Sequence, residues 1–248
     1  MKKQTILGFV MLLGLTTVAG AAWANNASLK IAVAANFRTT LAQLVALYQQ
    51  HHSQEIEISS ASTGVLFAQI SRGAPFDLFL SADAVRAQML AKQLNNGQRT
   101  HAYALGRLAL WCPAGLKHFS PVELKRFAYA NPKVAPYGAA AQQALARLPF
   151  FRQAKTIKAN NVAQVLSYVE TGNVDCGFVA LSLLLTRQNS LNWQEIPSDW
   201  YTPVEQHLLI IKPDNSIAVH FAEFLLGSKG QQAIAKAGYY PGVRDESQ

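Results

Sequence analysis

The sequence predicts an α/β protein of two lobes with a cleft between them, and three observations carry that prediction. Half of the 248 residues are apolar and only 15% are charged, the composition of a chain that buries a sizeable core. Short apolar runs alternate with amphipathic stretches, three strand–helix units in a row and then a second set, and such alternation builds mostly parallel sheets with helices on both faces. The Gly97–Gly106 region and the polar, proline-bearing stretch Pro197–Glu205 separate the sets and are the expected crossings between lobes. Two crossings make the first lobe discontinuous: residues 25–105 and 206–248 are expected in it, and 106–205 in the second.

Each element has its own signal. Leu29–Ala35 reads as a buried strand, after which Phe37, Leu41, Leu44, Val45 and Tyr48 recur at helical spacing up to Gln50. Ile56 and Ile58 mark a second strand, and Val65, Leu66, Gln69 and Ile70 a short helix ending near Gly73. Asp77–Ser81 is a third strand, and Asp83 caps a helix through about Leu94. In the second set Arg107–Cys112 and Cys176–Leu181 read as strands and Ala128–Ala130 as a weak one, with helices over Gly138–Leu148 and Val162–Val169. His207–Lys212 is a late strand, followed by helices over Ser216–Leu226 and around Gln231–Ala237.

Residues 1–24 read as a secretory signal. Lys2 and Lys3 form its positive end, Ile6–Leu15 its apolar stretch and Ala22-Trp23-Ala24 its small-residue cleavage site, so the mature chain is expected to start near Asn25. Gly14, Thr16 and Gly20 interrupt the run short of the roughly 20 apolar residues of a membrane span. No cysteine near the cleavage site offers a lipid anchor, and the expected location is the periplasm. Cleavage trims two lysines from a net charge of +8. The remaining excess is spread along the chain, its longest basic cluster being Lys125-Arg126, unlike the basic face of a nucleic-acid binder. Cys112 and Cys176 lack metal-ligand spacing; an oxidising compartment permits one disulfide between them, with two buried free thiols as the alternative.

The chemistry lies at the strand-to-helix junctions. Ala34-Ala35-Asn36-Phe37, Ser59-Ser60-Ala61-Ser62-Thr63-Gly64, Pro136-Tyr137-Gly138 and Asn160-Asn161-Val162 are each small or polar and uncharged at a helix start. Free N–H groups at such starts, flanked by Ser, Thr or Asn, form anion sites. One such junction is an ordinary cap. The serine–threonine run exceeds what a single cap needs, and Gly64 allows close approach of a ligand to the backbone.

Enzyme chemistry finds little support. No Gly-x-Ser-x-Gly elbow, phosphate loop or dinucleotide fingerprint occurs. His51, His52, His101, His118, His207 and His220 are scattered, and Asp77 and Asp83 read as a turn and a cap.

Ala32-Val33-Ala34-Ala35-Asn36-Phe37, Ser60-x-Ser62-Thr63-Gly64, Gln69-Ile70, the long run Gly73-Ala74-Pro75-Phe76-Asp77-Leu78-Phe79-Leu80-Ser81-Ala82-Asp83, Gly177–Ser182 and the late Gly227–Gly238 segment together resemble the periplasmic molybdate-binding proteins of ABC importers. The resemblance covers essentially the whole mature chain, and Gly73–Asp83 is its most specific part. It implies a class II periplasmic binding protein fold that closes like a hinge on molybdate or tungstate for delivery to an inner-membrane permease, acting as a monomer with no cofactor. The metal would be bound only as its oxyanion, with no direct protein ligand. Carried over by position, the implied ligand residues are Ala35 and Asn36, Thr63, Tyr137, and Val162 through its backbone amide. Many members have serine where Asn36 stands and tyrosine where Ala180 stands. The chain resembles the branch with asparagine in the first loop and tyrosine in the third, in which Tyr137 supplies the missing hydroxyl and Ala180 does not touch ligand.

Molybdate, tungstate and sulfate are fully ionised at neutral pH and only accept hydrogen bonds, so their site wants donors and no carboxylate. Phosphate retains a proton, its second pKa being about 6 in phosphoesters, and gains from an acceptor that none of the four loops offers. Another oxyanion such as sulfate, or a small organic anion, is the alternative ligand; organic carboxylates usually recruit an arginine, and the loops contain none. A periplasmic enzyme acting on anionic substrates ranks last, for want of a nucleophile with its base.

Overall fold

The computed structural model describes residues 28–95, 97–187 and 191–242. The signal read over 1–24 lies outside the described residues. Along the chain come β1 (Leu29–Ala34), α1 (Arg38–Tyr48), β2 (Ile56–Ala61), α2 (Thr63–Ser71), β3 (Leu78–Ser81), α3 (Ala84–Leu94) and β4 (His101–Gly106). Next are β5 (Leu108–Trp111), a small hairpin of β6 (Leu116–Lys117) and β7 (Ser120–Pro121), β8 (Arg126–Ala130), α4 (Pro136–Leu145), β9 (Lys155–Ala159), α5 (Val162–Glu170), β10 (Cys176–Ala180), the single turn α6 (Leu181–Leu184) and β11 (Trp193–Glu195). The chain ends in β12 (Val204–Ile210), α7 (Ser216–Leu226), α8 (Ser228–Lys236) and β13 (Tyr240–Pro241).

The strands form two main sheets, one ordered β13-β4-β12-β3-β1-β2 and the other β11-β5-β10-β8-β9. The chain passes from the first to the second at Arg107, between β4 and β5, and returns between β11 and β12. His101–Gly106, within the region expected to be a crossing, is instead a strand, with Tyr103 and Ala104 fully buried. Among the described residues parallel pairing is confined to β1 with β2 and β3, and to β8 with β9 and β10. The remaining partners run antiparallel, which makes both sheets mixed.

Register fixes where the loops go. Ala34 pairs with Ala61 at the carboxyl ends of β1 and β2, so the turns that follow lie side by side. Ala130 pairs with Ala159 at the ends of β8 and β9, with the same consequence in the second sheet. In open α/β sheets this carboxyl edge is where ligands bind.

Each sheet has its own apolar core. In the first, Phe37 packs edge-on against Tyr103 and Tyr239, with ring centroids 4.8 and 5.3 Å apart. In the second, α4 and α5 bury Ala140, Ala141, Ala144, Val165 and Leu166 against the strands. A disulfide joins Cys112 and Cys176 across neighbouring strands β5 and β10, resolving the choice that the sequence left open.

Candidate functional site

Four helix starts meet where the sheets face each other. Ala34, Ala35, Asn36, Ser62, Thr63 and Ala82 from the first sheet's side and Ala135, Pro136, Tyr137, Asn161 and Val162 from the second's line one cavity of about 10 Å³. That is close to the roughly 10–15 Å³ one water molecule needs and leaves room only for a small ion. All five residues singled out from the sequence, Ala35, Asn36, Thr63, Tyr137 and Val162, are on this lining. Ala180 is fully buried and does not line it.

The local reasons are elementary. Thr63 and Val162 open α2 and α5, and Tyr137 follows Pro136 in the first turn of α4. First-turn amides have no intrahelical acceptor. Pro136 itself lacks an N–H and holds the φ that a helix start requires. Asn161 caps α5 by accepting from the Gln164 N–H at 2.9 Å, so its own side chain is engaged while the Val162 amide stays at the helix mouth. Gly64 donates its N–H to the Val134 carbonyl at 2.8 Å, and the Arg86 guanidinium donates to the Lys133 carbonyl at 2.8 Å. Both bonds join the two sides of the cleft beside the cavity.

The residues differ in what they have left to offer a ligand. Ala35 already donates its N–H to the Ala61 carbonyl at 2.9 Å. The side-chain amide of Asn36 turns inward, donating to Gln206 Oε1 at 2.8 Å and to the Tyr239 hydroxyl at 3.3 Å. Its backbone carbonyl accepts from the Tyr239 hydroxyl at 2.8 Å, and Ser182 Oγ donates to that hydroxyl at 2.8 Å. Thr63 Oγ1 accepts from the Ala82 N–H at 3.0 Å, which leaves its proton free to donate. Ser62 Oγ and Tyr137 Oη are buried without a hydrogen-bond partner.

Among the described residues no carboxylate and no full cationic charge lines the cavity. Burial pushes the Tyr137 phenol well above its usual pKa, with further upward influence from Tyr239, Tyr201 and Tyr103. It is therefore a neutral donor at any physiological pH. Helix N-termini supply partial positive charge on top of the individual hydrogen bonds, so the arrangement can hold a small, fully ionised oxyanion by donors alone. Among the described residues no group of three or more His, Cys, Asp or Glu side chains offers a metal site. No helix there is long and apolar enough to cross a membrane.

Residues 29–240 match the bacterial extracellular solute-binding protein family. The chain belongs to this family. Among its relatives are the molybdate-binding protein ModA of Azotobacter vinelandii, 35% identical over 93% of this chain and 96% of that one, and ModA of Rhodobacter capsulatus, 32% identical over 95% and 94%. The solved structure of an Azotobacter vinelandii periplasmic molybdate-binding protein superposes with a TM-score of 0.78, at 30% identity, covering 86% of this chain and 99% of that one. The sulfate-binding protein SubI of Mycobacterium tuberculosis, at 12% identity, a TM-score of 0.66 and 86% coverage of both chains, shares the fold. The periplasmic binding protein fold expected from the sequence is thus the fold of the chain.

Within this solute-binding frame, sequence reasoning passed over Ser62, although the serine–threonine run pointed to its loop. It also passed over Gln206, Tyr239 and Ser182, buried polar groups behind Asn36 on distant elements. The one available signal for Gln206 is a polar residue within a late apolar strand, Val204–Ile210.

Proposed function

We propose that the chain is a periplasmic receptor that captures molybdate in the cavity between its lobes and delivers it to an ABC importer, and that tungstate, of the same shape and charge, is a second ligand. The observation that carries this reading is the convergence of four helix starts on a small cavity lined by neutral donors and no carboxylate. The relatives named for molybdate span nearly the whole chain, which extends the support from the cavity to the full molecule. The Bacillus subtilis relative, a putative ABC transporter substrate-binding lipoprotein at 29% identity, supports the importer.

In this reading the Asn36, Thr63, Tyr137 and Val162 amides and the Ser62, Thr63 and Tyr137 hydroxyls donate to the oxyanion. Ala35 shapes the wall, because its amide is spent on Ala61. Hydrogen bonds to a charged acceptor are about twice as strong as neutral ones, and exclusion of water strengthens them further. The lobes close because only the closed state offers donors from both sides, a shift of population toward the state that binds better. A solute-binding role of this kind involves no bond-making step.

Isothermal titration calorimetry of the mature, extensively dialysed protein tests the proposal. One-to-one binding of molybdate and tungstate, with little or no heat from sulfate and phosphate, is the expected outcome. Preferential binding of sulfate or of an organic anion would remove the molybdate assignment and leave a receptor of the same family for another solute.

A further inference from the structure

Two buried polar groups without partners face the same spot at the junction of the lobes. Gln206, fully buried on β12, uses its Oε1 to accept from Asn36 Nδ2 at 2.8 Å and from the Tyr103 hydroxyl at 3.1 Å. Among the described residues its Nε2 completes no hydrogen bond, although it lies near enough to the Tyr239 hydroxyl to favour that phenol's ionised form. Tyr137 reaches from α4, on the other side of the cleft, and its hydroxyl likewise has no partner. The Arg107 amide lies close enough to lower the phenol's pKa slightly without completing a hydrogen bond. Gly106, the last residue before the crossing, locates the two groups: a Cβ there would sit 2.2 Å from Tyr137 Oη and 3.2 Å from Gln206 Nε2. The phenol thus occupies the space a side chain at 106 would need, with the Gln206 amide beside it. A buried donor and a buried hydroxyl left unpaired each carry a desolvation cost, and a bond between them relieves both.

We propose that Gln206 is a positioning residue that couples the two lobes of the site. Its Oε1 holds the first ligand loop through Asn36, and its Nε2 donates to Tyr137 Oη when ligand draws the lobes together. Accepting that bond turns the phenolic proton away from Gln206 and toward the oxyanion, since a hydroxyl has one proton and aims it away from its own donor. Gly106 is what lets the phenol arrive. Gln206 does not line the cavity and touches no ligand. The inference rests on the oxyanion-receptor reading above.

A double-mutant cycle between Gln206→Met and Tyr137→Phe, read as molybdate affinity by calorimetry, tests the coupling. Each single change is expected to weaken binding about tenfold or more, the size of one hydrogen bond to a charged group. The double variant is expected to lose less than the two losses multiplied, because the support of Asn36 is lost independently of Tyr137 while the bond to the phenol is lost only once. Losses that multiply in the double variant would overturn the proposal. So would Gln206→Met lowering the thermal stability of the ligand-free protein with unchanged affinity, the signature of a purely structural role. Gly106→Ala provides a second route if Gln206→Met does not fold: by displacing the phenol it should weaken molybdate binding without adding an atom to the cavity, and unchanged affinity would again overturn the idea. A wild-type protein that binds no molybdate removes the receptor reading and the coupling with it. A wild-type protein that binds, with independent losses, removes the coupling alone.

Discussion

Ser62 and Thr63 are adjacent hydroxyls in different hydrogen-bond states, and this separates their predicted roles. Thr63 Oγ1 supports the fold by accepting from the Ala82 N–H, whereas Ser62 Oγ is buried and unpartnered beside the cavity. Thr63→Val is expected to weaken oxyanion binding by about 1.5–3 kcal/mol, the range for hydrogen bonds to charged groups. It should also lower the stability of the ligand-free protein, since the Ala82 amide is left unpaired. Ser62→Ala is expected to weaken binding by a similar amount while the ligand-free melting temperature stays near wild type, because no capping bond is lost. Calorimetry and thermal unfolding of both variants check the pair, and unchanged affinity in Ser62→Ala would exclude that hydroxyl from the site. The loop itself was legible in the sequence, because four hydroxyls within six residues exceed a cap's need. Which hydroxyl faces the ligand was not, since that depends on Ala82, a residue of another turn.

At the scale of elements, legibility followed burial. The strands with continuous apolar runs, β1, β3, β5 and β10, stood out because their side chains are buried on both faces. β9, with the sequence Lys155-Thr156-Ile157-Lys158-Ala159, left no mark because it is an edge strand paired only with β8 and largely solvent-facing. β4 was masked by its polar surroundings and by Gly106, which read as part of a crossing; it closes the strand one residue before the chain crosses and also makes room for Tyr137. Capping chemistry was read correctly at Asp83, whose carboxylate accepts from the Arg86 N–H at 2.7 Å. The Cys112–Cys176 disulfide needed the register of β5 and β10, which no spacing rule supplies. It closes a 64-residue loop within the second sheet, and neither cysteine lines the cavity. Replacing both by alanine is therefore expected to reduce stability by roughly 2–4 kcal/mol and to leave oxyanion affinity unchanged. Denaturant unfolding and calorimetry on the same variant separate the two effects.

Over the whole molecule, the buried tyrosines set an alkaline limit and the lobe seam sets the closing motion. Burial raises the Tyr239 phenol from 10.0 to about 12, opposed in part by hydrogen bonds from Ser182 and Asn36, and Tyr103 and Tyr137 are raised in the same direction. A folded-state pKa above the unfolded one means that this stability is fully present below pH 10 and is lost as pH rises through about 12. Urea midpoints should accordingly fall above pH 10, and a midpoint that rises there would contradict the burial of these phenols. The seam is held beside the cavity by the Gly64 N–H to Val134 and by Arg86 to the Lys133 carbonyl. A Cβ on Gly64 would lie 3.0 Å from the Val134 backbone, which must then give way for the lobes to meet. Gly64→Ala and Arg86→Ala act on the closed state without removing a side-chain donor from the cavity, so both should weaken molybdate binding mainly through faster release. Small-angle scattering reads the motion itself: molybdate is expected to contract the wild-type protein and to contract Gly64→Ala less at equal occupancy. Equal contraction and equal release rates in the two proteins would show that the Gly64 contact follows closure without favouring it.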